Sequence, residues 1–431
     1  MEGASGRDPL GGLNKPVVSY FYDDDIGNYQ YNQGHPMKPF RVKMTDAMIR
    51  AYGMHDHLKT MQIEPEFIEN LDFTVFHSDD YVDVLKNLTL ENKDQYADQI
   101  NRFNFGEDCP VFDGMYEYCQ IYTAGSIRQA SYVAQGHADI GINWAGGLHH
   151  AKKQEASGFC YVNDCVLGIV EFLKYYERVL YIDIDCHHGD GVEEAFFTTN
   201  RVLTASFHKF GDYFPGTGAL DDIGAGEGKY YSVNFPLSEG VDDATFEAAF
   251  KPVMDEIFAR FRPEAVVLQC GTDSLSGDRL GLFNLSVKGH AECVAHIKTK
   301  GVPMILIGGG GYTLRNVPRC WTYETSVALG KEIDNDIPET FQYRSYFSPD
   351  HKIHQAVSNM ENNNTRSHVE QTTKQILENL KHVQAVNVDH SSYRRRLGHP
   401  PAHCLYDESE NRQIREDREK DMHHDTKVDL I

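Results

Sequence analysis

The run Val179-Leu-Tyr-Ile-Asp-Ile-Asp-Cys-His-His-Gly-Asp-Gly191 constrains this chain more than any other stretch. Its first half is short, apolar and rich in β-branched and aromatic residues, the pattern of a parallel strand buried on both faces. Side chains two apart on a strand share a face, so Asp183, Asp185 and His187 can project together where the strand runs out. Asp185 and His187 form an Asp-x-His pair, an oxygen and a nitrogen donor suited to zinc or a similar divalent ion. Alone the pair is a weak signal, because carboxylates and imidazoles fall this close in many surface loops. The setting strengthens it, with an apolar strand in front and a Gly-Asp-Gly turn behind. A catalytic metal needs a third protein ligand and an open position, which directs the search to the other strand ends.

A chain of 431 residues can bury a large α/β core. No run of about 18 apolar residues occurs, so no membrane partner is expected, and the first residues lack the apolar stretch of a secretory signal. Nine cysteines without a repeating framework suit a reducing compartment. A net charge of −23 argues against direct nucleic-acid binding and favours a basic partner such as a lysine-rich peptide.

Residues 1–15 are Gly-rich and polar and read as a disordered leader, 16–388 as one domain, and 389–431 as a polar, largely disordered tail. Strands are expected over Val17–Tyr22, His137–Trp144, Val179–Ile184, Val202–Phe207, Ala265–Cys270 and Val302–Ile307. Helices are expected over Thr45–Lys59 and Ser78–Asn87, with Thr45 and Ser78 as N-caps, and over Asn163–Tyr176, Asp242–Phe261 and Ser286–Lys300. Strands alternating with helices at this spacing imply an open, mostly parallel sheet covered on both faces, an α/β fold with its active site at the C-terminal strand ends.

The residues that follow each strand make a coherent set. His149 and His150 come after His137–Trp144, Asp185, His187 and Asp190 after Val179–Ile184, Asp273 after Ala265–Cys270, and Tyr312 behind the four glycines 308–311. Singly, a His pair is usually surface, an Asp a helix cap and a Tyr packing. Jointly they point to metal-assisted amide hydrolysis. Asp185, His187 and Asp273 would hold the ion, which polarises a carbonyl and activates water. His149 and His150 would act as general base and acid, with Asp183 and Asp190 fixing their tautomers. Tyr312 would donate its hydroxyl to the oxyanion. Two carboxylates and one imidazole suit Zn2+ and Fe2+ alike. The glycines do not spell a dinucleotide fingerprint, because the sixth position is Thr313, and no G-x-S-x-G elbow occurs.

Long blocks carry a resemblance: Gly34-His-Pro-Met-Lys-Pro39, Gly106-Glu-Asp-Cys-Pro-Val-Phe112, Asn143-Trp-Ala-Gly-Gly-Leu-His-His-Ala-Lys152, Glu155-Ala-Ser-Gly-Phe-Cys-Tyr-Val-Asn-Asp164, the 183–191 run, Phe214-Pro-Gly-Thr-Gly218, Gly277-Asp-Arg-Leu-Gly281 and 308–315. Over Val17 to Val386 the chain resembles the class I zinc-dependent histone deacetylases. The resemblance implies the arginase–deacetylase fold and hydrolysis of ε-N-acetyl-lysine, most of all on core histone tails, with release of acetate. It further implies transcriptional repression within a corepressor complex, in the nucleus with a cytoplasmic share. Gly158, Phe159, Phe214 and Leu280 match the walls of the acetyl-lysine channel, and Asp108 the rim carboxylate that holds the peptide backbone. Asp183, Asp185, His187, Ser206 and Phe207 match one structural K+ site, and Phe196, Thr199, Val202 and Tyr231 a second. Gly34, Lys38, Arg279 and Arg315 match a pocket for a regulatory inositol phosphate shared with a corepressor subunit. Cys186 stands where the family usually has an aliphatic residue, and Gln30 and Phe40 depart from common family choices near the basic pocket. A deacetylase for acetylated polyamines, a silent scaffold subunit and an arginase-like manganese hydrolase are the competing readings. The Asp108 rim, the intact set at the strand ends and the small number of metal donors weigh against them in turn.

Overall fold

The structure is a computed structural model and describes residues 15–386. The proposed leader and tail therefore lie outside the described residues, apart from Lys15 at their edge. Eight strands form one sheet: β1 (Val18–Phe21), β2 (Lys59–Met61), β3 (Ile140–Asn143), β4 (Val179–Asp183), β5 (Val202–Lys209), β6 (Ser232–Leu237), β7 (Ala265–Gln269) and β8 (Met304–Ile307). Their order is β2-β1-β3-β8-β7-β4-β5-β6, and every pairing is parallel. Every residue of β1, β3, β4, β7 and β8 is buried. Alternate strand residues face opposite ways, so both sheet faces are covered. Helices Met115–Ala134 and Asp164–Leu173 pack on each other and on the central strands, while Phe40–Ala51, Asn316–Leu329, Val287–Lys298, Asp243–Arg260 and Arg366–Leu380 pack in succession as a second row. This is the α/β architecture expected of the arginase–deacetylase fold.

Three expected helices begin where a side chain closes an open N–H: Asn163 accepts from Val166 N, Asp242 from Thr245 N and Ser286 from Gly289 N. Two N-cap assignments need correction. The helix expected from Thr45 starts at Phe40, behind Pro39, and Thr45 is buried with its hydroxyl on the Arg41 carbonyl. That helix stops at Ala51, so Lys59 opens strand β2 instead. Ser78 precedes its helix as expected, but its hydroxyl bonds the Asp80 carboxylate rather than a backbone N–H.

Topology positions the site. The chain passes from β3 to β4 directly, yet β8 and β7 lie between them in the sheet. The loops leaving β3, β8, β7 and β4 therefore meet at one edge, the carboxyl-end crevice where open α/β sheets bind ligands.

Candidate active site

Asp183 ends β4, and the next residues carry Asp185 and His187 over the edge. Asp273 arrives in a short turn after β7. Ligand atoms of Asp185, Cys186, His187 and Asp273 all lie within 4.8 Å of one another, and all four residues are buried. His187 Nδ1 is 3.1 Å from Asp185 Oδ1 and 3.0 Å from Asp273 Oδ2. The remaining carboxylate oxygens are held by the protein: Asp185 Oδ2 accepts from Gln269 Nε2 at 3.0 Å and Gly310 N at 2.8 Å, and Asp273 Oδ1 from Cys186 N at 2.9 Å. Burial and the neighbouring Asp185 push the Asp273 carboxyl up. Two carboxylates and an imidazole forced together in a dry site fit a divalent cation, which would neutralise that repulsion.

Residue 310 must be glycine. A Cβ there would sit 2.0 Å from Asp273 Oδ2, where a donor to Asp185 has to pass.

Two histidine–carboxylate couples flank this cluster. His149 Nδ1 lies 2.7 Å from Asp183 Oδ2, which also accepts the Tyr181 hydroxyl at 2.6 Å. His150 Nδ1 lies 2.7 Å from Asp190 Oδ1, whose other oxygen meets Lys152 Nζ at 2.5 Å. The two rings are 3.9 Å apart, centroid to centroid. Burial lowers the basicity of both, but Asp183 and Asp185 outweigh it at His149, which is raised to about 9. At His150 burial and the positive His149 win over Asp190 and hold it down to about 3. Asp183 thus favours the protonated form of His149, and burial the neutral form of His150.

Tyr312 is half-buried, its ring 5.5 Å from that of Phe159 and 6.5 Å from that of His187. Burial, then Asp273 and Asp185, raises its pKa, so the hydroxyl remains a donor. Phe214 is 45% exposed, with its ring 4.9 Å from His150. Gly158 lies between them, since a Cβ there would be 2.6 Å from the His150 ring and 2.8 Å from Phe214. Gly158 and Phe214 thus stand against the His150 ring, and Phe159 against Tyr312.

A scan against family models matches the histone deacetylase domain over residues 35–328. The chain belongs to the histone deacetylase family. It is 57% identical to histone deacetylase 1 of Homo sapiens over 84% of this chain and 75% of that protein. It is also 57% identical to histone deacetylase 19 of Arabidopsis thaliana, over 88% and 75%, and 53% identical to histone deacetylase 1 of Oryza sativa subsp. japonica, over 96% and 78%. Family membership carries with it a hydrolytic protein deacetylase activity and a metal cofactor.

Other residues matched to the family lie at several places in the fold. Leu280 contributes its carbonyl to the Tyr213 hydroxyl at 2.8 Å. Asp108 is exposed, and its carbonyl faces His35 Nε2 at 3.2 Å, with the His35 ring against Phe159. Ser206 stands opposite Asp183 in the β4–β5 register, next to Phe207, and its hydroxyl lies 2.8 Å from His208 Nδ1. Phe196, Thr199, Val202 and Tyr231 gather at the start of β5, where Thr199 N bonds Phe196 O and Thr204 N bonds Tyr231 O. Lys38, Arg279 and Arg315 are exposed, as is Gly34. Cys186 Sγ is 3.4 Å from His187 Nδ1 and 3.2 Å from the Tyr213 hydroxyl. Burial pushes that thiol up.

Three supporting residues escaped the sequence reading. Asp278 accepts the N–H groups of Leu280, Gly281, Tyr312 and Thr313. Arg41 is buried and donates to the carbonyls of Gly309 and Gly311 from beneath. Lys152 joins Asp190 to Glu194. Asp278 and Lys152 fall inside blocks quoted above, Gly277–Gly281 and Asn143–Lys152, where a carboxylate in a Gly-bounded turn and a lysine behind paired histidines were the available signals.

Proposed function

We propose that this site hydrolyses ε-N-acetyl-lysine on basic protein tails, core histone tails foremost, and so represses transcription as a nuclear corepressor subunit. One observation carries the reading. Phe214 packs on His150 and Phe159 on Tyr312, beside two histidine–carboxylate couples and a buried cluster of possible metal donors. Aromatic walls suit a four-carbon apolar stem with a neutral amide head, and the acidic surface suits the cationic flanks of a histone tail.

Asp185, His187 and Asp273 would hold the metal, with Zn2+ favoured by the family and Fe2+ compatible with the donors. When bound, that ion supplies Lewis acidity toward the acetyl carbonyl and the attacking water. Neutral His150 receives the proton of the water. Its Nδ1 is committed to Asp190, which leaves Nε2 for that task. His149, kept protonated by Asp183, returns a proton to the leaving lysine amine. Tyr312 donates its hydroxyl to the oxyanion as the carbonyl becomes tetrahedral. Asp108 would grip the peptide backbone at the rim. Gly34, Lys38, Arg279 and Arg315 would take an inositol phosphate at the corepressor contact, and the residues around Ser206 and Thr199 would take K+.

The test compares zinc-loaded protein on an acetyl-lysine histone-tail peptide and on N-acetylputrescine. Preference for the peptide by at least about tenfold is expected, of the size that a lost set of rim contacts produces. Preference for the small amide would move the reading to polyamine deacetylation.

A further inference from the structure

The turn that carries Asp273 rests on the buried sides of two helices. From Asn316–Leu329, Trp321 Nε1 donates to the Cys270 carbonyl at 2.8 Å. From Val287–Lys298, His290 Nε2 lies 2.8 Å from the Gly271 carbonyl. A carbonyl can only accept, so Nε2 carries a proton. The other ring nitrogen, Nδ1, lies 2.6 Å from Glu324 Oε1 and 3.4 Å from Cys320 Sγ. His290 and Glu324 are both wholly excluded from solvent, and Glu324 Oε2 has no hydrogen-bond partner. Neither residue enters the chemistry above.

Such a couple is costly. Desolvating two ionisable groups takes several kcal/mol each, and a well-packed apolar pair of the same volume is often as stable or more so. Stability alone therefore gives no reason for it at this place. Imidazole, thiol and carboxylate together also form a donor set for a metal. Yet His290 uses both nitrogens, and 2.6 Å between Nδ1 and Oε1 is a hydrogen bond. Two such ligands about 2.1 Å from one tetrahedral ion would stand roughly 3.4 Å apart. The arrangement is a relay of hydrogen bonds that ends on Gly271.

We propose that His290 and Glu324 are positioning residues for the metal-ligand turn. Glu324 fixes the orientation of the imidazole. The imidazole fixes the Gly271 carbonyl, and Gly271 in turn sets Asp273 opposite Asp185 and His187. The inference rests on reading those three residues as the metal ligands. It is the support that ligating histidines usually receive from a carboxylate, here applied to the backbone behind a ligating aspartate.

The experiment measures the zinc dissociation constant by chelator competition, along with kcat and KM on an acetyl-lysine peptide, in H290F, H290Q and E324L. H290F removes the donor and should weaken zinc binding about 10–100-fold, the usual effect of losing a group behind a ligand, with kcat falling and KM little changed. H290Q offers an N–H near the Nε2 position and should recover both to within about threefold. E324L keeps the imidazole but frees its orientation, and should weaken zinc binding at least about fivefold. It serves as the second variant where H290F does not fold. Unchanged zinc affinity in folded H290F or E324L overturns the proposal. So do equal losses in H290F and H290Q, which would mark simple repacking. A wild type that binds zinc normally yet leaves the peptide intact counts against the deacetylase reading alone, because the affinity comparison still stands.

Discussion

Asp278 Oδ2 accepts the backbone N–H of Tyr312 at 2.8 Å, and the same carboxylate takes the N–H groups of Thr313, Leu280 and Gly281. One side chain thus ties the proposed oxyanion donor to the proposed channel wall at Leu280. Tyr312→Phe should keep fold and metal but lose at least about a hundredfold in kcat. Asp278→Ala should approach that loss by releasing the loop. Because both act through one hydroxyl, the double variant should be little worse than Tyr312→Phe alone. Full additivity of the two losses would show that Asp278 acts elsewhere.

Gly158→Ala tests the proposed substrate passage. The residue has φ +51°, and a Cβ would lie 2.6 Å from His150 and 2.8 Å from Phe214. The methyl group should lower kcat/KM at least about tenfold, beyond a backbone cost of about 1–2 kcal/mol in stability. Near-normal turnover of the acetyl-lysine peptide would mean that the substrate takes another route.

Lys152→Met removes the cation on Asp190 and leaves a buried carboxylate with His150 and one backbone N–H. Breaking such a pair costs about 3–5 kcal/mol. Thermal melting should show a Tm lower by several degrees, together with reduced kcat, since Asp190 no longer holds His150 in place. An unchanged Tm would show that Glu194 and Asp190 do not depend on this lysine.

His77 gives a pH dependence away from the metal. It is buried, accepts the Asn163 N–H at Nε2, and is lowered to about 4, mainly by burial. A folded pKa below the unfolded 6.5 means that the neutral form is the stable one. Its contribution is whole above about pH 6.5 and is lost as pH falls toward 4, on the order of 3 kcal/mol in total. His77→Gln should flatten the decline of Tm over that window. An identical pH slope in wild type and variant would exclude His77 as its source.

The strands that carry the site were legible because each is a short apolar run ending in polar or glycine residues, as at Val179–Asp183 and Met304–Ile307. Strand β6 was not, because Pro236 and Asn234 interrupt its pattern, a mixture tolerated only at the sheet edge where it lies. Strand β2 is three residues long and mostly exposed, with no periodicity to detect. Helix Met115–Ala134 is buried over most of its surface and contains Gly125, so no apolar stripe contrasts with a polar face. In Arg366–Leu380 the stripe is only Val369, Thr372, Ile376 and Leu380. In the site, Asp-x-His spacing and the paired histidines were visible in the chain. The His290–Glu324 couple was not, because its partners are 34 residues apart and meet only when two helices pack.

Acetate release from an acetyl-lysine histone-tail peptide is the most direct measurement. It would compare zinc-loaded wild type with His150→Ala, each shown to carry its metal, alone and with co-purified partners plus inositol phosphate. The account predicts turnover in wild type and a loss of at least about a hundredfold in the variant, the share of a general base. Equal rates in the two proteins, or silence of the metal-loaded wild type under every condition, would contradict it.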